Sequence, residues 1–460
     1  MAEFTVEEIL SATGGTLLQK GEKDIAGGIS TDTRTIQKGE LYVPLSGENF
    51  DGHAFISKAC EAGAAGVILS DTSYADKVPA GIFVVSVKNT LVALEDLARF
   101  HRDRFSIPVV AVTGSSGKTT TKDMLTAILE TTFSVCRTEK NHNNEIGLSK
   151  TLLSLTENHE VAVTEMGMRG LGQIAELAEV AHPTVGIVTC VGTAHIGILG
   201  SRENIAKAKG ELIEALPKDG VAILNADDEY VSKMDTLCSG RAMYYGIENP
   251  KDVYATDVVF KPDATIYNCH AGDSVFPVEL QMLGIHNVYD AMAATAAAIS
   301  LGVSPENIQK ALGNFVSQSD SQRIYKIGSV TVLDDSYNAN PLSVEMAFRA
   351  MCQLSGKRKI LVLGDMLELG EFENKWHEEI GEKAAYLGFD VLITVGNLSH
   401  HTADGARRGG MKSVIETKSA KEAAEILAKV AKAGDVVLIK GSHAMHLETV
   451  SDFWRGDLHS

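Results

Sequence analysis

The sequence is poor in the features that mark membrane, secreted and metal-cluster proteins. No apolar run approaches the roughly twenty residues that a membrane span needs, and the segment from Met1 to Glu8 carries no basic stretch of the kind that opens a signal peptide. The six cysteines are scattered without a C-x-x-C pair, which argues against a zinc site and favours a reducing compartment. We therefore expect a cytoplasmic protein without membrane insertion.

Basic charge is scarce as well. The formal net charge is -18 and is spread along the chain, which argues against a general affinity for nucleic acid or anionic membranes. Any anion that binds must meet local donors. Low-complexity tracts are absent, and the 44% of apolar and 22% of charged residues are ordinary for a globular protein. A chain of 460 residues is long for one core and predicts about three domains.

The apolar runs predict an α/β fold with three domains. Residues 1–87 form a small α/β domain, in which a helix-like segment (54–62) separates two strands. Residues 88–316 alternate β-branched runs with helices, which predicts a mostly parallel central sheet of the P-loop type, with an antiparallel extension from Val253 to Leu283. After the polar stretch Ser317 to Gln322, residues 317–460 predict a Rossmann-like, doubly wound domain. The predicted strands are 41–45, 66–69, 109–113, 161–164, 185–191, 221–224, 330–333, 359–363, 391–395 and 436–439.

A strand, a turn of small residues, a lysine and a hydroxyl follow one another from Val109 to Thr120. Backbone N–H groups at such a helix start face a bound phosphate; Lys118 would reach the terminal phosphates and Thr119 could bind Mg²⁺. The spacing is shorter than the common phosphate loop because Val112 stands where that motif has a glycine, so an accidental turn is the alternative. The predicted ATP-binding loop consists of Gly114, Ser115, Ser116, Gly117, Lys118, Thr119 and Thr120.

Polar residues also follow the next strands. Glu165 ends one predicted strand and His195 follows another, so both could meet a magnesium ion at the same edge of the sheet. Singly, the glutamate is typical of a solvated turn and the histidine of a structural residue. Lys209, beside Lys207, has the pattern of a charge on a solvated helix face.

The densest group of polar residues runs from Leu333 to Pro341 and combines two carboxylates, a phenol and two amides after a strand. An Asx-rich capping turn before a helix is the alternative interpretation. The segment from Gly364 to Gly370 follows the next strand in the same way and brings Asp365 and Glu368 to that edge.

Taken together, these segments resemble the Mur ligases, and within that family the members that add D-alanyl-D-alanine to UDP-N-acetylmuramoyl-tripeptide. The resemblance covers nearly the whole chain. Two of the departures from the family pattern are Asp290, where Asn is common, and His443, where Arg is frequent. The segments that carry the resemblance are 113–119, 141–147, 165–167, 206–211, 286–287, 334–341 and 364–370.

The resemblance implies an ATP-dependent, ADP-forming ligase of peptidoglycan precursor synthesis that passes through an acyl phosphate, acts as a monomer and closes its domains around its ligands. It implies Mg²⁺ as a cofactor, a carbamate on Lys209, and catalytic roles for Lys118, His195, Lys209 and Asp335. The implied metal ligands are Thr119, Glu165 and His195, and the implied further nucleotide contacts are Asn287 and Arg323. The implied contacts to the UDP-substrate are Ser30, Thr31, Arg34, Asn49, Phe50, His53, Asn141 and Asn144, and those to the dipeptide are Asp335, Tyr337, Asn338, Asn340 and Asp365.

Two other functions stay open at this point. A folylpolyglutamate synthase-like ligase would share the phosphate loop and the lysine beside the metal, although the segment Asp334 to Pro341 and the first domain argue against it. A nucleotide-dependent switch would hydrolyse ATP without ligation.

Overall fold

The computed structural model describes residues 2–47, 50–139, 142–261, 264–317 and 322–456. Among those residues, no helix combines the length and the apolar character that crossing a bilayer requires. The chain forms two compact units, one of Met1–Ala111, Phe133–Gly167 and Ile174–Val185, the other of Val112–Thr132, Met168–Gln173 and Gly186–Ser460.

The N-terminal part is a small α/β structure. In its described residues a five-stranded sheet has the order β2-β9-β8-β5-β4, in which only the β2–β9 pair is antiparallel. The side chains of Phe4, Leu41 and Phe83 fill its core, and Leu94 and Leu97 of helix α3 pack there. Its elements are β1 (Phe4–Thr5), α1 (Val6–Thr13), β2 (Thr16–Gln19), β3 (Ile25–Ala26), β4 (Ile29–Ser30), β5 (Leu41–Tyr42), β6 (Ser46–Gly47), β7 (Phe50–Asp51), α2 (Ile56–Glu61), β8 (Gly66–Leu69), β9 (Phe83–Ser86) and α3 (Thr90–Arg102), with 3₁₀ helices at Gly52–Phe55 and Thr72–Lys77.

The central part is built on a sheet in which, over the described residues, nine strands have the order β11-β12-β10-β13-β14-β15-β16-β17-β18. Strands β10, β12, β13 and β14 are buried along their whole length, as parallel strands covered on both faces are. Strands β16 to β18 pair antiparallel, which confirms the predicted antiparallel extension. The elements are β10 (Val109–Thr113), α4 (Lys118–Leu129), β11 (Val135–Arg137), α5 (Glu145–Leu153), β12 (Val161–Glu165), α6 (Gln173–Ala181), β13 (Val185–Val188), α7 (Ile196–Leu199), α8 (Arg202–Glu214), β14 (Val221–Asn225), β15 (Arg241–Gly246), β16 (Val253–Phe260), β17 (Thr265–Ala271), β18 (Ser274–Leu280), α9 (Ile285–Ser300) and α10 (Pro305–Gly313), with a 3₁₀ helix at Val231–Leu237.

The C-terminal part is a doubly wound structure, as predicted. The six strands found among its described residues have the order β19-β20-β24-β21-β22-β23, and only β19 runs antiparallel to its neighbour. Two apolar clusters lie in this part, one around Phe348 and Leu361 and one around Val362 and Leu427. The elements are β19 (Arg323–Ile327), β20 (Val330–Asp335), α11 (Pro341–Gln353), β21 (Lys359–Gly364), α12 (Glu373–Tyr386), β22 (Val391–Val395), α13 (Ser399–Arg408), β23 (Val414–Thr417), α14 (Ala420–Val430), β24 (Val436–Lys440) and α15 (Glu448–Arg455), with 3₁₀ helices at Gly370–Phe372 and His443–Met445.

Three predicted elements are longer than the observed ones, and five predicted strands are one or two residues too short. The strand expected at 41–45 ends at Tyr42, and the helix expected at 54–62 is a 3₁₀ turn followed by the shorter α2. The strand expected at 185–191 ends at Val188. There the Thr189 hydroxyl donates to the carbonyl of Ser116, so the chain turns away from the sheet to support the neighbouring loop. A run of β-branched residues does not reveal that change of direction.

Candidate functional site

The predicted phosphate loop joins the buried strand β10 to helix α4. Gly117, at the helix start, has φ 82°, and Gly114 has φ 153°. A Cβ at Gly114 would lie 1.8 Å from Oγ1 of Thr189, and one at Gly117 would lie 2.2 Å from Oδ1 of Asp290. Both positions therefore need glycine. The result is a tight turn at the positive end of α4, where a phosphate is favoured.

Lys118 folds back over this loop. Its Nζ donates to the carbonyl oxygen of Gly114 at 2.9 Å. The ammonium group is thus held above the turn rather than extended into solvent. A phosphate oxygen bound at the helix start would therefore meet the positive charge of Lys118 already in place.

Asp290 of α9 lies under the loop. Its Oδ1 accepts a hydrogen bond from the hydroxyl of Thr121 at 3.2 Å. Its side chain is buried, and burial raises the pKa of this carboxyl to about 8. At neutral pH the residue is therefore mostly protonated, and it places no full negative charge beside the loop.

Lys209 is buried, contrary to its solvated-face pattern. Its relative exposure is 2%, whereas Lys207 on the same helix, α8, is exposed. Burial, with a smaller contribution from the charge of Lys118, lowers the pKa of Lys209 to about 7. A large fraction of this amine is thus neutral and nucleophilic at physiological pH.

His195 precedes the short helix α7 and meets Glu368 of the predicted C-terminal domain. The ring nitrogen Nδ1 of His195 lies 2.6 Å from the carboxylate oxygen Oε2 of Glu368. The backbone carbonyl of Glu368 also accepts a hydrogen bond from the N–H of Gly197 at 3.2 Å. Burial lowers the pKa of His195, while Glu368 opposes this shift. The sequence placed Glu368 near a ligand edge but did not reveal this partner.

Glu165 belongs to the other compact unit and ends β12. It is 1% exposed, its backbone N–H donates to Oγ1 of Thr138, and its Oε1 accepts from Nδ2 of Asn143 at 2.8 Å. Asn143 was missed by the sequence analysis, although it lies in the Asn-rich segment 141–147. The side-chain oxygen of Asn144 accepts a hydrogen bond from the N–H of Gly147, so Asn144 caps the start of α5. Asn141 lies outside the described residues.

The segment after β20 is held by an ion pair that sequence reasoning did not identify. Lys440, at the end of the adjacent strand β24, donates to Oδ2 of Asp335 at 2.5 Å and to the carbonyl of Asn338 at 2.9 Å. Asn340 caps α11 in a capping box with Ser343, so the capping interpretation holds for this residue. The sequence shows Lys440 at the end of a predicted strand but does not reveal which strand lies beside it.

Two other predicted ligand residues have clear structural partners. Both oxygens of Asp365 accept backbone N–H groups, from Asn397 at 3.0 Å and from Ser399 at 2.7 Å. Asn287, which is 1% exposed, donates to the carbonyl of Leu283 and to Oε1 of Gln322.

Two further predicted ligand residues, Tyr337 and Arg323, also lie in the C-terminal part. The ring of Tyr337 lies 5.5 Å from that of His443. Arg323 begins β19, opposite Asp334 of β20.

The predicted uridine-nucleotide residues lie in the N-terminal part. Arg34 forms a 2.6 Å ion pair with Asp32 and its side chain stays 86% exposed; the hydrogen bond from Arg34 lowers the pKa of Asp32 to about 2. The hydroxyl of Ser30 donates to the carbonyl of Asp32, and Thr31 is half-buried beside it. This segment could present a guanidinium to a diphosphate.

His53 and Phe50 differ in their surroundings. His53 is 2% exposed and bonded to Asp51 and to the backbone N–H of Ser70, so it supports its own turn. Phe50 is exposed and stacks on Phe55 at 5.5 Å. Asn49 lies outside the described residues.

The residues that the structure describes do not form a preassembled metal cage. Within the ranges that the structure describes, no three His, Cys, Asp or Glu side chains converge at metal-binding spacing. Singly, the hydroxyl of Thr119 and the carboxylate of Glu165 are hard oxygen donors of the kind that Mg²⁺ takes, and the imidazole of His195 is a softer nitrogen donor.

Comparisons with known proteins match Mur ligases in all three parts of the chain. Three family models match: the Mur ligase family catalytic domain at residues 26–102, the Mur ligase middle domain at 112–298 and the Mur ligase glutamate ligase domain at 321–443. The chain is 37% identical to the UDP-N-acetylmuramoyl-tripeptide–D-alanyl-D-alanine ligase of Bacillus subtilis, with 98% of each chain covered.

Two solved structures extend the likeness to the fold. The MurF structure from Acinetobacter baumannii superposes with a TM-score of 0.91 at 30% identity, covering 98% of this chain and 99% of that one. The MurF ligase of Thermotoga maritima, solved in complex with ADP, gives 0.83 at 28% identity, covering 94% and 97%. With this match in sequence and in three-dimensional structure over nearly its full length, the chain belongs to the Mur ligase family.

Proposed function

We propose that the chain joins D-alanyl-D-alanine to UDP-N-acetylmuramoyl-tripeptide at the expense of ATP, as a step of peptidoglycan precursor synthesis that serves cell-wall growth, cell shape and division. The full-length likeness to ligases of that name carries the proposal. The tight loop with Lys118 folded over Gly114 supports the use of ATP.

Joining a carboxylate to an amine is uphill in water, so the carboxylate must first be activated. A tripeptide carboxylate oxygen attacks the γ-phosphorus of ATP, ADP leaves, and an acyl phosphate forms. The neutral dipeptide amine then attacks the acyl carbon and loses one proton as the amide forms, and inorganic phosphate departs with the electrons of the C–O bond. Lys118 and the N–H groups of the loop stabilise the charge on the transferred phosphoryl group.

Magnesium is proposed as the cofactor, held by Thr119, Glu165 and His195. When bound, it neutralises phosphate charge. Glu165 is buried and fixed by Asn143, which suits a metal ligand better than a solvated turn residue. Asn287 and Arg323 are proposed as further nucleotide contacts.

Lys209 is proposed to carry a carbamate. An amine with a pKa of about 7 is partly neutral at physiological pH, and only the neutral amine attacks carbon dioxide. The resulting anion would suit a position that also lies in the field of Lys118. Mass spectrometry of the native protein with and without bicarbonate tests this modification.

The acceptor and donor sites follow the resemblance. The UDP-substrate is assigned to the N-terminal part and the dipeptide to the segment after β20, where Lys440 holds Asp335 in position to orient the amine. The proposed contacts to the UDP-substrate are Ser30, Thr31, Arg34, Asn49, Phe50, His53, Asn141 and Asn144, and those to the dipeptide are Asp335, Tyr337, Asn338, Asn340 and Asp365.

Phosphate release with a panel of acceptors tests the function. Release that requires both the UDP-muramoyl-tripeptide and D-alanyl-D-alanine supports ligation. Release with folate and glutamate supports the folylpolyglutamate synthase alternative, and release that ignores every acceptor supports a nucleotide switch.

Lys118→Ala tests the loop. Because the ammonium group is the charge poised over the phosphate site, we expect ADP formation to be abolished while binding of the UDP-substrate stays measurable by calorimetry. Lys207→Ala, at an exposed lysine, is the control. Persistent turnover in Lys118→Ala would show that the loop assignment is wrong.

We also propose that the protein is a monomer and that it acts in the cytoplasm, where ATP and UDP-linked precursors are available. Light scattering on the purified protein, with and without nucleotide, checks the oligomeric state.

A further inference from the structure

The loop around His195 and the loop around Glu368 form a close contact between segments that are 173 residues apart in sequence. Nδ1 of His195 lies 2.6 Å from Oε2 of Glu368. The Glu368 backbone takes part as well, because its carbonyl accepts the N–H of Gly197 at 3.2 Å. A side-chain and a main-chain bond thus join the same two loops.

The backbone at both ends of this contact is unusual. His195 has φ 64° and Glu368 has φ 62°, values that residues with a Cβ rarely adopt. Such conformations persist only where the surroundings hold them, and they concentrate at functional positions. Here each strained residue is held by the loop that carries the other.

Glycines let the two loops approach. A Cβ on Gly197 would lie 2.5 Å from the backbone nitrogen of Gly370 and 2.9 Å from the carbonyl oxygen of Glu368. A Cβ on Gly370 would in turn lie 2.7 Å from Cα of Gly197. The contact has no room for a methyl group on either side.

The polar chemistry of the contact is directional. A carboxylate can only accept from Nδ1–H, which leaves the lone pair of the neutral ring on Nε2. The other carboxylate oxygen of Glu368 lies 3.7 Å from Nε of Arg169, so both oxygens face donors. Carboxylates placed this way behind a histidine orient the ring of a metal ligand.

We propose that Glu368 is a positioning residue for His195: it fixes the imidazole as the Nδ1–H tautomer and so prepares Nε2 for the metal that accompanies the nucleotide. Since Glu368 belongs to the C-terminal segment, the site gains its full metal affinity only while that segment is docked on α7. The inference rests on the proposed role of His195 as a metal ligand, and it couples the position of the dipeptide-binding segment to the nucleotide site.

Binding of Mn²⁺ to the protein in the presence of ADP, measured by electron paramagnetic resonance, tests the proposal without relying on activity. Glu368→Ala should weaken Mn²⁺ binding by about 10- to 100-fold, and Glu368→Gln, which can still accept from Nδ1–H, should retain most of the affinity. The control is Glu371→Ala, which removes the same charge from an exposed position three residues away. Equal losses in Glu368→Ala and Glu371→Ala, or no loss in Glu368→Ala, would overturn the proposal.

A second pair of variants tests the docking. Gly197→Ala should push the loops apart and lower Mn²⁺ affinity with Glu368 still present, whereas Gly313→Ala, where a Cβ meets nothing within 4 Å, should leave it unchanged. His195→Ala distinguishes the metal-binding role of His195 from the positioning role of Glu368. If it leaves Mn²⁺ affinity intact, the metal role of His195 fails and the positioning role with it; if it weakens binding while Glu368→Ala does not, only the positioning role fails.

Discussion

Burial, rather than residue type, distinguishes the ionisable residues around the phosphate loop. Lys207 and Lys209 are two residues apart on one helix, yet one is exposed and the other has a pKa of about 7. Asp290, with a pKa of about 8, is an acid kept protonated next to a loop that must receive an anion. Sequence alone gives each of these residues an ordinary charge.

The pH dependence of stability tests the state of Asp290. Its pKa is raised in the folded protein, so between about pH 4 and pH 8 the unfolded chain releases a proton that the folded chain keeps. Stability from this group is therefore full below pH 4, falls by at most about 1.4 kcal/mol per pH unit inside the window, and is constant above it.

Asp290→Asn removes this titration, and its amide oxygen can still accept from Thr121. In guanidinium chloride unfolding, we expect the unfolding free energy of the variant to increase relative to that of the unaltered protein as the pH rises from 5 to 8. Cys190 and Tyr245 lie in the field of Asp290, but the pKa of each is raised above its ordinary value by burial, so both groups stay protonated between pH 5 and pH 8. A difference that does not change with pH would contradict the prediction.

At the scale of the elements, the turn between β10 and α4 depends on Gly117. Alanine there would bring a Cβ within 2.2 Å of Oδ1 of Asp290 and would occupy a left-handed conformation, which costs roughly 1–2 kcal/mol by itself. We expect Gly117→Ala to lower ADP affinity at least about tenfold, a change worth about 1.4 kcal/mol, by calorimetry. Gly313→Ala serves as the control, and unchanged ADP affinity in Gly117→Ala would refute the loop geometry.

The ends of β20 and β24 are joined by the pair Asp335–Lys440. The two residues face each other in the register of the parallel strands and are both buried, so removing one partner leaves an uncompensated charge. We expect Lys440→Met to cost about 3–5 kcal/mol of unfolding free energy.

A double-mutant cycle gives the control for this pair. Asp335→Asn in the Lys440→Met background should recover part of the lost unfolding free energy, because it removes the buried carboxylate that has lost its ion-pair partner. Additive losses in guanidinium chloride unfolding would show that the two side chains do not depend on each other.

The sequence predicted elements well where one physical signal dominates. The strands at 66–69, 109–113 and 391–395 have the expected bounds because short β-branched runs between turns have few other conformations. The turn from Gly114 to Gly117 lies between a strand and a helix, as predicted, and its binding of phosphate stays a prediction. The capping roles of Asn144 and Asn340 are also local, and they agree with the known preference of Asn for helix starts.

What the sequence could not supply are contacts across long separations. The partner of Asp335 comes from a strand 105 residues later, and that of His195 from a loop 173 residues later. No local pattern specifies which strands become neighbours in a doubly wound sheet. The roles of the site residues and the two domain boundaries, near residues 87 and 316, stay predictions.

At the scale of the whole molecule, three ligands must meet at one reaction centre, and the sequence assigns them to different domains. We expect hinges near residues 87 and 316 to close when the UDP-substrate and a nucleotide are bound together. Small-angle scattering should then report a smaller radius of gyration than for the ligand-free protein. Nucleotide alone is the control, and an unchanged radius with all ligands would exclude closure.

The buried amine of Lys209 also makes the protein vulnerable to a small electrophile. Cyanate has nearly the shape of carbon dioxide, and it carbamoylates neutral amines irreversibly. An ordinary lysine, with a pKa of about 10.4, is almost fully protonated at pH 7, whereas Lys209, with a pKa of about 7, is not. Cyanate added to the folded protein at pH 7 should therefore carbamoylate Lys209 ahead of Lys207, whereas in concentrated urea the unfolded chain loses the burial that lowers the pKa of Lys209, and the preference with it.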